Sequence, residues 1–204
     1  MTKAPVSLTY SYVVYRDSVR IALTIAALNF LKVLACDIQN SFLTAKCSDK
    51  CYTQAGPEFG SDLGKLILIT RDLYRLKTSS ASFRYCLGDT LYELVYTPTK
   101  ADPDVWLRKS VKADGFQYYD MVLCYVNDVL CISYDPMKTM KGIQSTFKLK
   151  DDKINEPEDY LGATLENMIL SEGSQCWSMS SAKYGKAAVK NVKETLAKSE
   201  KRLP

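Results

Sequence analysis

Two apolar stretches, Gln117 to Tyr125 and Val129 to Tyr134, follow one another with only Val126-Asn127-Asp128 between them. Each reads as a strand, and so short a gap makes them an antiparallel hairpin. A hairpin of this apolarity needs a core on its faces, so it fixes a sheet near the middle of the chain. Taken alone, its tip is an ordinary tight turn, because Asn and Asp tolerate positive φ.

The flanking sequence supplies helices and further strands. Asp17 or Ser18 is a plausible N-cap for a helix running to about Asn29. Apolar residues occupy nearly all faces of that helix, which implies burial among other elements. Val33 to Cys36 reads as a short interior strand ended by Asp37, residues 56–64 as a Gly- and Pro-bearing surface loop, and Lys65 to Ile69 as another strand. A helix is expected from Thr78-Ser79-Ser80 to about Tyr96. Pro98 and Pro103 then bracket a turn into the strand Val105-Trp106-Leu107. Asp135-Pro136 opens a further helix, with Pro in the first turn where its missing N–H is harmless. Strands follow around Phe147 to Lys150, Tyr160 to Met168 and Cys176 to Met179, and a last helix starts near Ser180-Ser181. This irregular alternation predicts an α+β fold, an antiparallel sheet with helices packed on one face.

Composition narrows the chemistry. The chain of 204 residues contains no histidine, which removes every mechanism that needs imidazole. Seven cysteines are an odd number, mostly inside apolar runs. Cys47 and Cys51 have no second pair to complete a zinc site, so buried thiols in a reducing compartment are the expectation. No apolar run reaches membrane-span length, and Met1 to Tyr10 lacks a signal-peptide core. The expected location is therefore cytoplasmic, neither secreted nor in a membrane. Net charge is +4, with a late excess in Lys183, Lys186, Lys190, Lys193, Lys198, Lys201 and Arg202. That run suits a solvated helix face or a track for nucleic-acid phosphates.

Carboxylates, lysines or tyrosines remain as the candidates for chemistry. Asp37 and the 127–128 tip each emerge from apolar β segments, and two such sites can converge on one edge of a sheet. Acidic groups held rigidly by strands are what Mg²⁺ prefers, and two such ions serve in-line phosphoryl displacement.

From about Thr9 to Pro204 the sequence resembles copia-type retrotransposon reverse transcriptases, with motifs in the family's order. Ala35-Cys36-Asp37-Ile38-Gln39-Asn40-Ser41-Phe42-Leu43 resembles D-[VI]-x-N-A-[FY]-L, and Pro57-Glu58-Phe59-Gly60 resembles the loop that follows it. Leu73-Tyr74-Arg75-Leu76-Lys77 resembles L-Y-G-L-K, and residues 100–106 resemble K-A-D-P-x-[LV]-[FW]. Leu123-Cys124-Tyr125-Val126-Asn127-Asp128-Val129-Leu130 resembles L-x-Y-V-D-D-[IV]-L, and Tyr160-Leu161-Gly162 resembles [YF]-L-G.

The resemblance implies a right-hand polymerase palm over about residues 9–170 and the start of a thumb or connection over 171–204, with the fingers largely missing upstream of Thr9. It implies RNA-directed DNA polymerase activity with Mg²⁺, or Mn²⁺ as an alternative. The partners would be an RNA or DNA template, a DNA primer, deoxynucleoside triphosphates and the rest of a retrotransposon polyprotein. Asp37, position 127 and Asp128 would be catalytic and metal-binding. Ile38, Ser41, Phe42, Thr78 and Lys150 would face the nucleotide, with Phe42 as a steric gate against a 2′-hydroxyl. Tyr125, Val126, Tyr160, Leu161 and Gly162 would face the primer.

The chain departs from the family pattern in ways that bear on activity. The first acid of Y-V-D-D is Asn127, whose amide brings no negative charge for a strongly hydrated cation. Arg75 replaces a glycine and is strained if that position needs positive φ. Thr78 stands where many relatives carry glutamine, and Ser41 replaces alanine. No ribonuclease H or integrase segment is expected after Pro204. The expectation is a fragment impaired in catalysis, the alternative being a non-enzymatic remnant or domesticated domain that binds nucleic acid or protein.

Overall fold

The structure, a computed structural model, describes residues 11–198. Lys201 and Arg202 of the late basic run lie outside the described residues. Helix α1 (Arg16–Leu28) leads into β1 (Lys32–Asp37). A single turn, α2 (Ser41–Thr44), then precedes β2 (Lys46–Gln54) and β3 (Leu66–Arg71). Helix α3 (Ser79–Glu93) is followed by β4 (Thr97–Pro98), β5 (Val105–Val111), β6 (Gln117–Tyr125) and β7 (Asp128–Ser133). The chain continues through α4 (Pro136–Thr146), β8 (Asp159–Tyr160), β9 (Ala163–Ile169), β10 (Gln175–Ser180) and α5 (Ala182–Lys198).

The central sheet has the order β1-β7-β6-β5-β4, and every neighbouring pair is antiparallel. The expected hairpin is its middle. Residues alternate between two cores along β7: Val129 and Cys131 join one, Leu130 and Ile132 the other. The first core is closed by Phe83, Leu87 and Leu91 of α3 and by Met140 and Ile143 of α4. The second is closed by Val19, Ala22, Leu23 and Ala26 of α1, with Tyr160 and Leu165 from the small sheet β10-β9-β8. Helices therefore lie on both faces, not one. The strands of an antiparallel pair buried on both sides read as continuous apolar runs, and the sequence of β6 and β7 carries that signal.

Helix α1 corrects a second expectation. Only one stripe of it is buried, while Ile21 and Leu28 are 62% and 74% exposed. Its N-cap is Tyr15, and neither Asp17 nor Ser18 caps it. The free end is held from afar: Asp102 Oδ2 accepts the Tyr15 amide at 2.9 Å and the Ser18 hydroxyl at 2.6 Å. A carboxylate there satisfies orphan N–H donors and complements the helix dipole, which gives the K-A-D-P motif a structural role.

Residues 147–150 do not form a strand. Leu149 makes an isolated bridge to Ile38, and Lys150–Asp152 is a 3₁₀ turn. With a second bridge, Ala35 to Asn155, this segment covers the outer edge of β1. The stretch from Tyr160 to Met168 is two strands, not one. Leu161 and Gly162, both at positive φ (52° and 69°), join β8 to β9 in the manner of a type I′ turn. The expected division near residue 170 falls in the turn between β9 and β10, which pair along their length. Among the described residues no helix is long and apolar enough to cross a membrane.

Candidate functional site

Asp37 is the last residue of β1 and Asp128 the first of β7, and the β1–β7 register sets them directly opposite each other. Sequence separation does not keep these carboxylates apart, because the central hairpin carries position 128 back beside β1. The turn between β6 and β7 is the dipeptide Val126-Asn127, closed by the pair Tyr125 and Asp128. Val126 has φ 54° while Asn127 is outside the left-handed region, the φ signature of a type II′ turn. A β-branched residue at the first position of that turn is strained. The turn is fastened to β1 by the Ile38 amide, which donates to the Asn127 carbonyl at 2.9 Å.

Asn127 Nδ2 donates to Asp37 Oδ1 at 2.6 Å, and Lys150 Nζ lies 3.4 Å from Asp37 Oδ2. Burial raises the Asp128 carboxyl above its ordinary range. The charge of Asp37 adds to that rise, and the Lys150 ammonium opposes it. Beneath them the Cys36 thiol is pushed up to about 12, chiefly by burial and then by the two aspartates, so it stays protonated and inert. Asp37, Asp128 and Lys150 line an open cleft of about 260 Å³ together with Asp151, Glu156, Glu158, Asp159 and Tyr160. The acidic wall from 151 to 159 went unnoticed in the sequence. Its signal was there, a dense charged run between α4 and the Tyr160 motif.

The other expected site residues distribute unevenly. Ile38 and Ser41 are buried (1% and 2% exposed), so only the backbone of Ile38 reaches the site, through its bond to Asn127. Phe42 is half-buried against Tyr74 (ring centroids 4.8 Å apart) and Phe83 (6.2 Å). Thr78 is the N-cap of α3 and makes no side-chain capping bond. Neither Phe42 nor Thr78 lines the cleft that holds the aspartates. The Tyr160 side chain is buried, and its hydroxyl donates to the Leu123 carbonyl at 2.9 Å, pinning the β8–β9 hairpin to β6. Leu161 and Gly162 form the tip it presents. Tyr125 and Val126 are half-buried, with the Tyr125 ring 6.5 Å from that of Tyr160. Arg75 sits at φ 76°, so the family's glycine position is one that needs positive φ.

A family model described as reverse transcriptase (RNA-dependent DNA polymerase) matches residues 5–200, almost the whole chain. The chain belongs to the reverse transcriptase family. No curated protein matches it. Reverse transcriptases are RNA-directed DNA polymerases that act on a template and primer and generally use divalent metal ions.

The residues of this reverse transcriptase do not fit such an ion as they are arranged. A hard dication takes carboxylate oxygens, yet both oxygens of Asp37 face N–H donors, one amide and one ammonium. Among the described residues, no three acidic, cysteine or histidine side chains gather in a metal-holding group. An aspartate at position 127 would have presented an acceptor where Asn127 presents a donor.

Proposed function

We propose that this chain is a fragment of a copia-type retrotransposon polyprotein reverse transcriptase, palm followed by the start of a thumb, whose nucleotidyl transfer is impaired by Asn127. The observation that carries the reading is the juxtaposition of Asp37 and Asp128 across the β1–β7 register, with the position-127 side chain aimed at Asp37. Extension joins the primer 3′-hydroxyl oxygen to the α-phosphorus of a deoxynucleotide and breaks that phosphorus's bond to pyrophosphate. Charge accumulates on the transferring phosphoryl group, and losing one group that stabilises developing charge costs on the order of 10²–10³ in rate.

The chain's own residues divide the remaining work. Phe42, braced by Tyr74 and Phe83, is the wall that rejects a 2′-hydroxyl. Thr78 and the Ile38 backbone belong to the nucleotide side, and the Lys150 ammonium serves the departing phosphates. Tyr125 and Val126, with the Tyr160-Leu161-Gly162 hairpin, lie along the primer. Lys183, Lys186, Lys190 and Lys193 recur on exposed turns of α5 and suit phosphate contacts that weaken with salt. Mg²⁺, with Mn²⁺ as an alternative, is the ion of the ancestral site, and the enzyme's place is intracellular.

Primer extension on an RNA template tests this. The natural chain should extend poorly, Asn127→Asp should extend with either ion, and Asp37→Ala added to Asn127→Asp should abolish extension. Equally robust extension by the natural chain and Asn127→Asp contradicts the reading. So does an Asn127→Asp variant that binds primer–template and fails to extend it.

A further inference from the structure

We infer that the Asp37–Asn127–Lys150 cluster is an internal clasp: an amide and an ammonium occupy the oxygens of Asp37 and hold this end of the sheet together without a metal ion. The two donors come from different segments. Asn127 stands at the tip of the central hairpin, and Lys150 begins the 3₁₀ turn after α4, while Asp37 ends β1. The same three segments are already joined through their backbones. The Ile38 amide donates to the Asn127 carbonyl at 2.9 Å, and the Gln39 amide donates to the Lys148 carbonyl at 2.9 Å. The side-chain link therefore sits on a frame that fixes its geometry and lowers the entropy lost in making it.

The charges explain why asparagine and aspartate differ here in sign as well as size. Asp37 and Asp128 already oppose each other in register, and Lys150 is the cation paired with Asp37. An acid at 127 adds a third carboxylate within hydrogen-bond reach of Asp37, a repulsion that only a cation relieves. The amide turns that contact into a charge-assisted hydrogen bond. Most of the strength lies in this bond, because the Lys150 side chain is 63% exposed and solvent screens its pair with Asp37. In a group of clustered carboxylates, neutralising one side chain stabilises the metal-free protein. In a clasp, removing or re-acidifying the donor destabilises it.

Thermal unfolding of the full chain, in EDTA and then with Mn²⁺, separates the two. Without metal, Asn127→Ala and Asn127→Asp should each melt about 4–8 °C below the natural chain, as expected for one charge-assisted bond in a domain of this size. Mn²⁺ should return most of the loss to Asn127→Asp and none to Asn127→Ala, and should move the natural chain by less than about 1 °C. If Asn127→Asp shows no folded transition in EDTA, Asn127→Ala decides alone: a melting temperature below that of the natural chain supports the clasp, and an equal or higher one overturns it. An Asn127→Ala or Asn127→Asp chain that melts at or above the natural one in EDTA overturns the clasp, as does a natural chain stabilised by Mn²⁺. These readouts involve no nucleic acid, so the clasp can fail while extension by Asn127→Asp succeeds, and the reverse.

Discussion

Two acid–base groupings on the central sheet use the same ingredients to opposite ends. In the body of β6, Asp120 is buried, and Arg108 sends both Nε and Nη2 to its Oδ2 at 3.1 and 2.8 Å. The guanidinium also donates to the Leu94 carbonyl and to Thr139, and it stacks 4.4 Å from the Tyr96 ring centroid. Tyr96 and Thr139 share a hydrogen bond of 2.8 Å, and burial raises the Tyr96 hydroxyl well above its ordinary range. At the end of β1, Asp37 meets one amide and one exposed lysine beside an open cleft. The planar, permanently charged guanidinium suits a closed structural pair, whereas a lysine on a flexible stem suits a site where charge must stay accessible. The difference separates a carboxylate closed inside the sheet from one clasped at its edge beside an open cleft.

The largest effect expected from breaking this contrast is at the closed end. Asp120→Ala should lower stability by about 3 kcal/mol, because it leaves a half-buried guanidinium without its carboxylate. A chemical-denaturation curve measures it, and a cost no greater than that of losing Lys150 would erase the distinction. Asp72 sharpens the comparison as a buried carboxylate outside any ion pair among the described residues: it is 0% exposed, and the weakly donating Cys47 thiol is its neighbour. Asp72→Ala should therefore raise stability by about 1–3 kcal/mol in the same assay. A loss would mean that the side chain has a role other than burial. Arg75→Gly removes a left-handed conformation from a bulky residue and should add about 1 kcal/mol. No gain there would show that the loop already relaxes the strain. The smallest effect is at the open end, where Lys150→Met should cost less than about 1 kcal/mol.

What the sequence disclosed follows the strength of local patterning. The hairpin of β6 and β7 was legible because both strands are apolar on both faces, and the strain at Arg75 was legible once L-Y-G-L-K was matched. Strand β2 was missed because Lys46 to Gln54 pairs only with β3, outside the central sheet, and so carries little apolar alternation. The one-sided burial of α1 was hidden because Ile21, Ile25 and Leu28 leave apolar side chains on its outer face. The cap from Asp102 and the bridges from 149 and 155 to β1 depend on distant chain segments, and no local rule reports them. At the site, adjacency of Asp37 and Asp128 could be anticipated from the motifs. The bond from Asn127 to Asp37 needed coordinates, because composition does not reveal which way an amide points.

The most direct test is a single-turnover measurement of one deoxynucleotide added to a primer, comparing the natural chain with Asn127→Asp at saturating primer–template. The account predicts a rate higher by about 10²-fold or more for Asn127→Asp, the scale of restoring one charge-stabilising group. Equal rates for the two proteins, both well above background, would contradict it.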